Sequence, residues 1–240
     1  MGSEAVILVV VLSACLVSSI AGYGGSLVLV PALAAVMEPK VGIAFAALIL
    51  GWNNVFKVVA YRRTLALREG WPLLIVTLAG VFVGTRLLIV APDNLVIGLI
   101  IGVTASALLI DVVAGERVRR AQRHAAAPTM AAASLLSGVS GSSGPLKGVA
   151  VRSLQLPRLE HVGLASAISL VGDALKVELF HEAGLLADVN MTVLAVALPM
   201  MPLGAWLGRT INERIDEQAF RWVFWTVVGG YTLRMVGVWF

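Results

Sequence analysis

The chain has 240 residues, of which 59% are hydrophobic and 13% charged, and its formal net charge is +4 at pH 7. A soluble domain averages about 45–50% apolar and about 25% charged residues, so this composition predicts an integral membrane protein. The single cysteine, Cys15, excludes an internal disulfide and a Cys-rich metal site.

Eight apolar segments follow one another along the chain. Most are about 17–22 residues long, the length that crosses roughly 30 Å of hydrocarbon as a helix, so helices are favoured over barrel strands. We therefore predict an all-α integral membrane protein. In chain order the segments cover residues 5–37, 41–61, 71–90, 95–113, 128–154, 161–180, 189–207 and 220–239.

Two of these segments are interrupted by glycine-rich breaks, and they begin corresponding halves of the chain. The first break is Gly22-Tyr23-Gly24-Gly25, and the second is Gly141-Ser142-Ser143-Gly144-Pro145. We expect a first repeat over residues 1–114, a basic cytoplasmic linker over residues 115–127 and a second repeat over residues 128–240. The basic residues of the loops are interpreted as orientation signals, not as a nucleic-acid-binding patch.

The second half repeats the first with a shift of 119 residues. IAGYGGSLVLVP (residues 20–31) corresponds to VSGSSGPLKGVA (residues 139–150), and NNVFKV (53–58) corresponds to GDALKV (172–177). With one extra residue, VGTRL (83–87) corresponds to LGAWL (203–207). Two related halves with interruptions at corresponding places are the best sequence pointer to the substrate site of a transporter.

The positive charges indicate how the interrupted segments meet the membrane. If both cross it as broken helices, the Lys and Arg of the loops and the tail divide eight to five between the two faces, which is a weak bias. If both are re-entrant hairpins, each half has three crossings, the halves are inverted and both termini lie outside. This second geometry is favoured because cytoplasmic loops concentrate Lys and Arg. One face then collects Arg62, Arg63, Arg68, Arg117, Arg119, Arg120, Arg123, Arg152, Arg158, Arg209 and Arg214, and the other keeps Lys40 and Arg234.

The breaks themselves are the first candidate site. A helix that starts at Leu27 or Pro145 exposes unpaired N–H groups and a partial positive charge, and Ser26 and Gly144 are placed to act as N-caps. Two such helix starts facing one cavity form an anion site. The alternative is that the glycines only permit close helix packing. The predicted substrate contacts at the breaks are Gly22, Tyr23, Gly24, Gly25, Ser26, Gly141, Ser142, Ser143 and Gly144.

Polar residues inside two apolar segments are the second candidate site. Asn54 and Lys57 in the first half correspond to Asp173 and Lys176 in the second, and each pair has the spacing that puts both residues on one helical face. We expect these four residues, together with Asn53, to line or guard the route to the site. The alternative is that the lysine stems reach the membrane surface.

Coupling ions, cofactors and catalysis are also addressed by the sequence. Asp173, followed by Glu178, is the candidate for proton coupling, since Asn54 cannot titrate. No metal-ligand spacing and no nucleotide-binding motif is present, so we predict no cofactor.

Gly141-Ser142-Ser143-Gly144 satisfies the G-x-S-G motif of intramembrane serine proteases, but the histidines needed as a base lie at helix ends. We therefore predict a transporter and not an enzyme.

Three stretches carry a resemblance to a known family: GYGGSLVLVPAL (residues 22–33), SGVSGSSGPL (137–146) and LGAWLG (203–208). Together with the duplicated layout they resemble the sulfite exporter TauE/SafE family, in the toluene-sulfonate uptake permease group. The resemblance implies a multi-pass permease of the bacterial inner membrane that moves sulfite, sulfonates or sulfoacetate-like anions. Departures from the usual motifs at Ser26 and Ala150 leave the particular anion open.

The resulting prediction is a secondary transporter for a small sulfur oxyanion, bound between the two breaks. Its partners are the small anionic substrate and the lipid bilayer, with a homodimer left open. An anion channel and a carboxylate carrier are the alternatives within transport.

Overall fold

The computed structural model describes residues 11–12, 14–15, 24–114, 123–143, 146–187, 189, 191–212, 226, 229–230, 233 and 237. These residues form helices and turns and contain no β-strand, which confirms the predicted all-α class. The helices are α1 (Gly25–Ala34), α2 (Pro39–Ala60), α3 (Leu67–Val90), α4 (Asp93–Ala114), α5 (Ala126–Ser140), α6 (Leu146–Arg152), α7 (Arg158–Glu182), α8 (Met191–Ala197) and α9 (Met200–Asn212), with a 3₁₀ turn at Arg123–Ala125 before α5.

Helices α2 and α3 are long and apolar enough to cross a membrane. Their 22 and 24 residues correspond to about 33 and 36 Å of helix, against roughly 30 Å of hydrocarbon. More of α2 than of α3 is buried inside the protein. Helix α3 instead leaves large apolar side chains exposed, including Trp71, Ile75 and Phe82. In a membrane protein such a face is suited to contact with lipid.

The helices beside the glycine-rich breaks are much shorter. Helices α1, α5 and α6 have 10, 15 and 7 residues, or about 15, 22 and 10 Å, so none of them alone spans the hydrocarbon core. Helices α5 and α6, which flank the second break, pack against each other. Gly141 ends α5 with a φ of 73°, and Gly24 precedes α1 with a φ of 98°. Both backbones are in the left-handed region, where glycine has no steric penalty.

Two local predictions are wrong. Helix α1 begins at Gly25, after Gly24 as N-cap, so Ser26 lies inside the helix and does not cap it. The segment predicted to be continuous over residues 189–207 is divided into α8 and α9 by a turn that contains Pro199. Proline lacks the N–H that a continuous helix requires at this position.

Some predictions concern residues outside the described part of the chain. These are most of residues 5–23 of the first segment, Gly22 and Tyr23 among them, Gly144 and Pro145 of the second break, residues 115–122 of the linker and most of the segment over residues 220–239.

The two halves of the chain pack against each other through several pairs of helices. Helix α2 lies against α7, and α3 lies against both α5 and α7. The α3–α5 crossing depends on glycines, because a Cβ added at Gly138 would lie 2.6 Å from Gly84 Cα. Small residues at such a crossing let two backbones approach closely. Helix α5, which leads into the second break, is thereby held against α3 of the first half.

Candidate functional site

The centre of the candidate site is a contact between α2 and α7. Asn54 Nδ2 donates a hydrogen bond of 2.8 Å to Asp173 Oδ2. Lys57 Nζ donates to Asn54 Oδ1 at 3.1 Å, and Lys176 Nζ lies 2.7 Å from Asp173 Oδ1. The four side chains therefore form one continuous polar chain from Lys57 to Lys176. The predicted pairing of these residues on common helical faces is what allows the chain to form.

All four side chains are buried. Lys57 is 0% exposed and Lys176 is 2% exposed. The alternative interpretation required the two ammonium groups to reach the surface of the protein. Their burial shows that they do not. Burying a charge is costly unless it is paired and hydrogen-bonded, and the polar chain provides those partners.

The two glycine-rich breaks meet beside this polar chain. Ser26 Oγ lies 3.1 Å from Ser142 Oγ, a contact between residues 116 positions apart. Ser140 Oγ donates to Ser142 O at 3.0 Å, which holds the second break in its turn. Gly141 packs against Ile43 of α2, because a Cβ at this glycine would lie 2.8 Å from Ile43 Cγ2. The contact between the breaks thus depends on a glycine that fits closely against α2.

A small cavity of about 20 Å³ lies between the breaks and the polar chain. This is room for about one water molecule. Its lining combines predicted and unpredicted residues: Gly24, Gly25, Ser26, Leu50, Asn54, Ser137, Gly141, Ser143, Lys147, Ser169, Asp173 and Lys176.

Lys147 is the most important lining residue that the sequence analysis missed. Its ammonium group donates a hydrogen bond of 3.0 Å to Ser169 Oγ. The available signal was a charged residue within the apolar segment over residues 128–154, since ionisable residues within membrane segments are usually functional. Ser169 and Ser137 were missed as well. Ser137 accepts a hydrogen bond of 3.4 Å from Lys176.

The charges of the cavity lining are unequal. Among the described lining residues, Lys147 and Lys176 are basic and Asp173 is acidic. Lys57 stands behind Asn54 and interacts electrostatically with both Lys147 and Asp173. The charged residues of the lining belong to the second half, whereas the first half supplies neutral groups. An excess of cationic groups around a small polar cavity favours an anionic occupant.

Three predicted site residues take other positions. Asn53 is fully buried but does not line the cavity, and its side-chain nitrogen and oxygen have no hydrogen-bond partner among the described residues. Glu178 is exposed, so it lies away from the cavity although it belongs to α7. Ser142 contacts Ser26 at the edge of the site without lining the cavity.

The described residues give no support to metal or serine-protease chemistry. They contain no group of three or more His, Cys, Asp and Glu side chains placed to hold a metal ion. Ser143 lines the cavity, but none of the described lining residues is a histidine that could act as its base.

Apolar helices around a small polar cavity are consistent with a helical membrane protein. The family model for the sulfite exporter TauE/SafE family matches residues 6–235, and the chain belongs to this family. This is a family of membrane transporters, and the resemblance carried by the three sequence motifs is thereby confirmed. No curated protein and no solved structure matches the chain.

Proposed function

We propose that this protein is a secondary transporter of a small sulfur-containing oxyanion, such as sulfite or an organosulfonate, and that the anion binds in the cavity between the two breaks. The observation that carries the proposal is the cavity lining, where Lys147 and Lys176 outnumber the single carboxylate of Asp173. Hydroxyl groups of Ser26, Ser143 and neighbouring serines add donors suited to an oxyanion.

The proposed architecture is a pair of inverted repeats, each with a re-entrant hairpin and three crossings. It is supported by the contact between Asn54 and Asp173, which are equivalent in the repeat. Residues that lie beside an axis of two-fold pseudosymmetry contact their own equivalents, because the axis exchanges the two positions. The short lengths of α1, α5 and α6 support hairpins that return to their own side. In this arrangement both termini lie on the outer side of the bacterial inner membrane.

Transport proceeds by alternating access, with one repeat moving against the other around the cavity. The cavity holds about one water molecule here. An oxyanion of four or more heavy atoms needs a wider cavity, so binding is accompanied by movement of the lysine side chains or of the breaks. We propose that Asp173, which lines the cavity, couples this movement to protons, and that Glu178 takes no part because it is exposed and lies outside the cavity.

The test is transport by the purified protein in liposomes under anaerobic conditions. Sulfite uptake should saturate with concentration and should be accelerated by unlabelled sulfite inside the vesicles, because a carrier must return its site to the outside. Methanesulfonate should compete, and acetate should not. An anion channel shows neither saturation nor counterflow, and preference for acetate over both sulfur anions would assign the protein as a carboxylate carrier.

A further inference from the structure

The carboxylate of Asp173 has both oxygens engaged by groups that an oxyanion substrate would use. Lys176 Nζ binds Oδ1 at 2.7 Å, and Asn54 Nδ2 binds Oδ2 at 2.8 Å. All three side chains line the cavity. The arrangement resembles a bound anion that is attached to the protein, because a carboxylate presents two charged oxygens to donors much as a sulfur oxyanion does.

Lys147 and Lys57 complete the charged surroundings of Asp173. Lys147 lies on α6 and hydrogen-bonds the neutral hydroxyl of Ser169. No carboxylate lies within ion-pair distance of Lys147 in the described part of the chain. Lys57, from α2, reaches Asp173 through Asn54. The Asp173 carboxylate is thus the counter-charge for three lysines, Lys57, Lys147 and Lys176. It is the only acidic group among the described lining residues.

Space and charge both oppose simultaneous occupancy. The cavity admits about one water molecule while Asp173 is in place. A second anion beside this carboxylate would also be repelled by it in surroundings where charges are weakly screened. An arriving anion therefore gains access to Lys176 only when the carboxylate gives up its contacts.

We propose that Asp173 is a tethered competitor of the substrate: its carboxylate occupies Lys176 and Asn54 in the empty cavity, and the transported anion binds by displacing it from these two donors. The inference rests on the proposed function and concerns regulation of the same site. In the empty carrier the carboxylate compensates lysines that would otherwise be buried without a counter-charge, which is strongly unfavourable. When the carboxylate returns to Lys176, it helps to release the anion on the other side of the membrane.

The repeat provides an informative asymmetry for the test. Asn54 occupies the position equivalent to Asp173, so the cavity has one carboxylate where two-fold symmetry would allow two. Asp173→Asn removes the competitor with little change of volume, and Asn54→Asp adds a second competitor beside Lys57. Glu178→Gln is the matched control, because it removes the same charge from the same helix at an exposed position outside the cavity.

The experiment is calorimetric titration of sulfite and methanesulfonate into the full chain in lipid nanodiscs. We expect Asp173→Asn to bind roughly tenfold more tightly than the wild type, within the usual range of coupling between two binding events. Asn54→Asp should bind more weakly, and Glu178→Gln should match the wild type. In liposomes, Asp173→Asn should retain exchange of anions but lose net transport, since its empty form lacks the compensating charge. A merely structural aspartate would slow both.

The outcomes separate this inference from the proposed function. If the wild type binds the anions but folded Asp173→Asn binds them equally or less tightly, the competitor role is wrong and the transporter assignment survives. If Asp173→Asn does not fold, Asn54→Asp decides: weaker binding supports the inference, and unchanged or tighter binding overturns it. If neither the wild type nor Asp173→Asn binds sulfite or methanesulfonate, both proposals are overturned.

Discussion

Asn54 and Asp173, which stand at equivalent positions in the two halves of the sequence, are joined by a hydrogen bond of 2.8 Å. Each also contacts the lysine three positions later in its own helix, Lys57 or Lys176. The same local arrangement is therefore present twice, and the two copies meet at their polar ends. The two copies differ in charge at this contact, because the first has the amide of Asn54 where the second has the carboxylate of Asp173.

Lys147 is expected to be the main cationic contact of the bound anion. Lys147→Met should weaken sulfite binding by roughly 10- to 100-fold, because a hydrogen bond to a charged group contributes about 1.5–3 kcal/mol. The measurement is calorimetric titration in nanodiscs. Lys40→Met is the matched control, since Lys40 pairs with Asp93 outside the cavity and should leave binding unchanged. Equal effects of the two variants would contradict the assignment.

Gly141 is expected to be required both for its backbone conformation and for its lack of a side chain. Gly141→Ala should lower Tm more than Gly184→Ala, although the two glycines have almost the same φ, 73° and 74°. Both variants carry the left-handed backbone penalty of roughly 1–2 kcal/mol. Only at Gly141 would the new Cβ also press on Ile43, whereas nothing lies within 4 Å at Gly184. Thermal unfolding in detergent measures the difference, and equal Tm losses would show that the fit against Ile43 is unimportant.

The contact between the two breaks is expected to change during transport. Cysteines replacing Ser26 and Ser142, in a Cys15→Ala background, should form a disulfide under mild oxidation because the native hydroxyl oxygens are 3.1 Å apart. The cross-linked protein should not transport sulfite in liposomes, and reductant should restore transport. Each single-cysteine variant serves as a control for oxidation. Full activity of the cross-linked protein would rule out relative movement of the breaks as the transport step.

The proposed inverted topology would place the loop after α2 in the cytoplasm and the loop before α4 outside. Arg63→Cys and Asp93→Cys, each at an exposed position, report these two loops in a Cys15→Ala background. In intact cells a membrane-impermeant maleimide should label the cysteine at position 93 and leave the one at position 63 unlabelled until the cells are opened. The reverse pattern would show that the orientation derived from the positive charges is wrong.

Much of the candidate site could be predicted from local spacing. The interval of three residues placed Asn54 with Lys57 and Asp173 with Lys176 on common helical faces, and the structure has both contacts. Spacing did not distinguish Asn53 from Asn54. Both are buried, but only Asn54 lines the cavity. Which of two adjacent residues lines a cavity depends on the rotation of the helix about its axis, and this rotation is set by packing against distant helices.

Lys147 is a cavity residue that the sequence analysis did not select. Its counterpart in the repeat is the apolar Val28, so comparison of the halves gave no reason to select it. Its role becomes visible only where α6 brings the ammonium group to Ser169 on α7. A departure from internal symmetry is informative here, because the cavity takes its charged groups from one half.

By itself, the sequence determined that the protein is a helical membrane protein, it predicted duplicated halves, and its motifs were sufficient to indicate the family. Composition, segment length and short-range spacing carry that information because they govern partitioning into lipid and the faces of single helices. Only the tertiary structure decided that the breaks touch, that Asn54 meets Asp173 and that Lys147 lines the same cavity. These contacts join residues that are distant in the chain, and they depend on how packed helices rotate and cross, which no local pattern specifies.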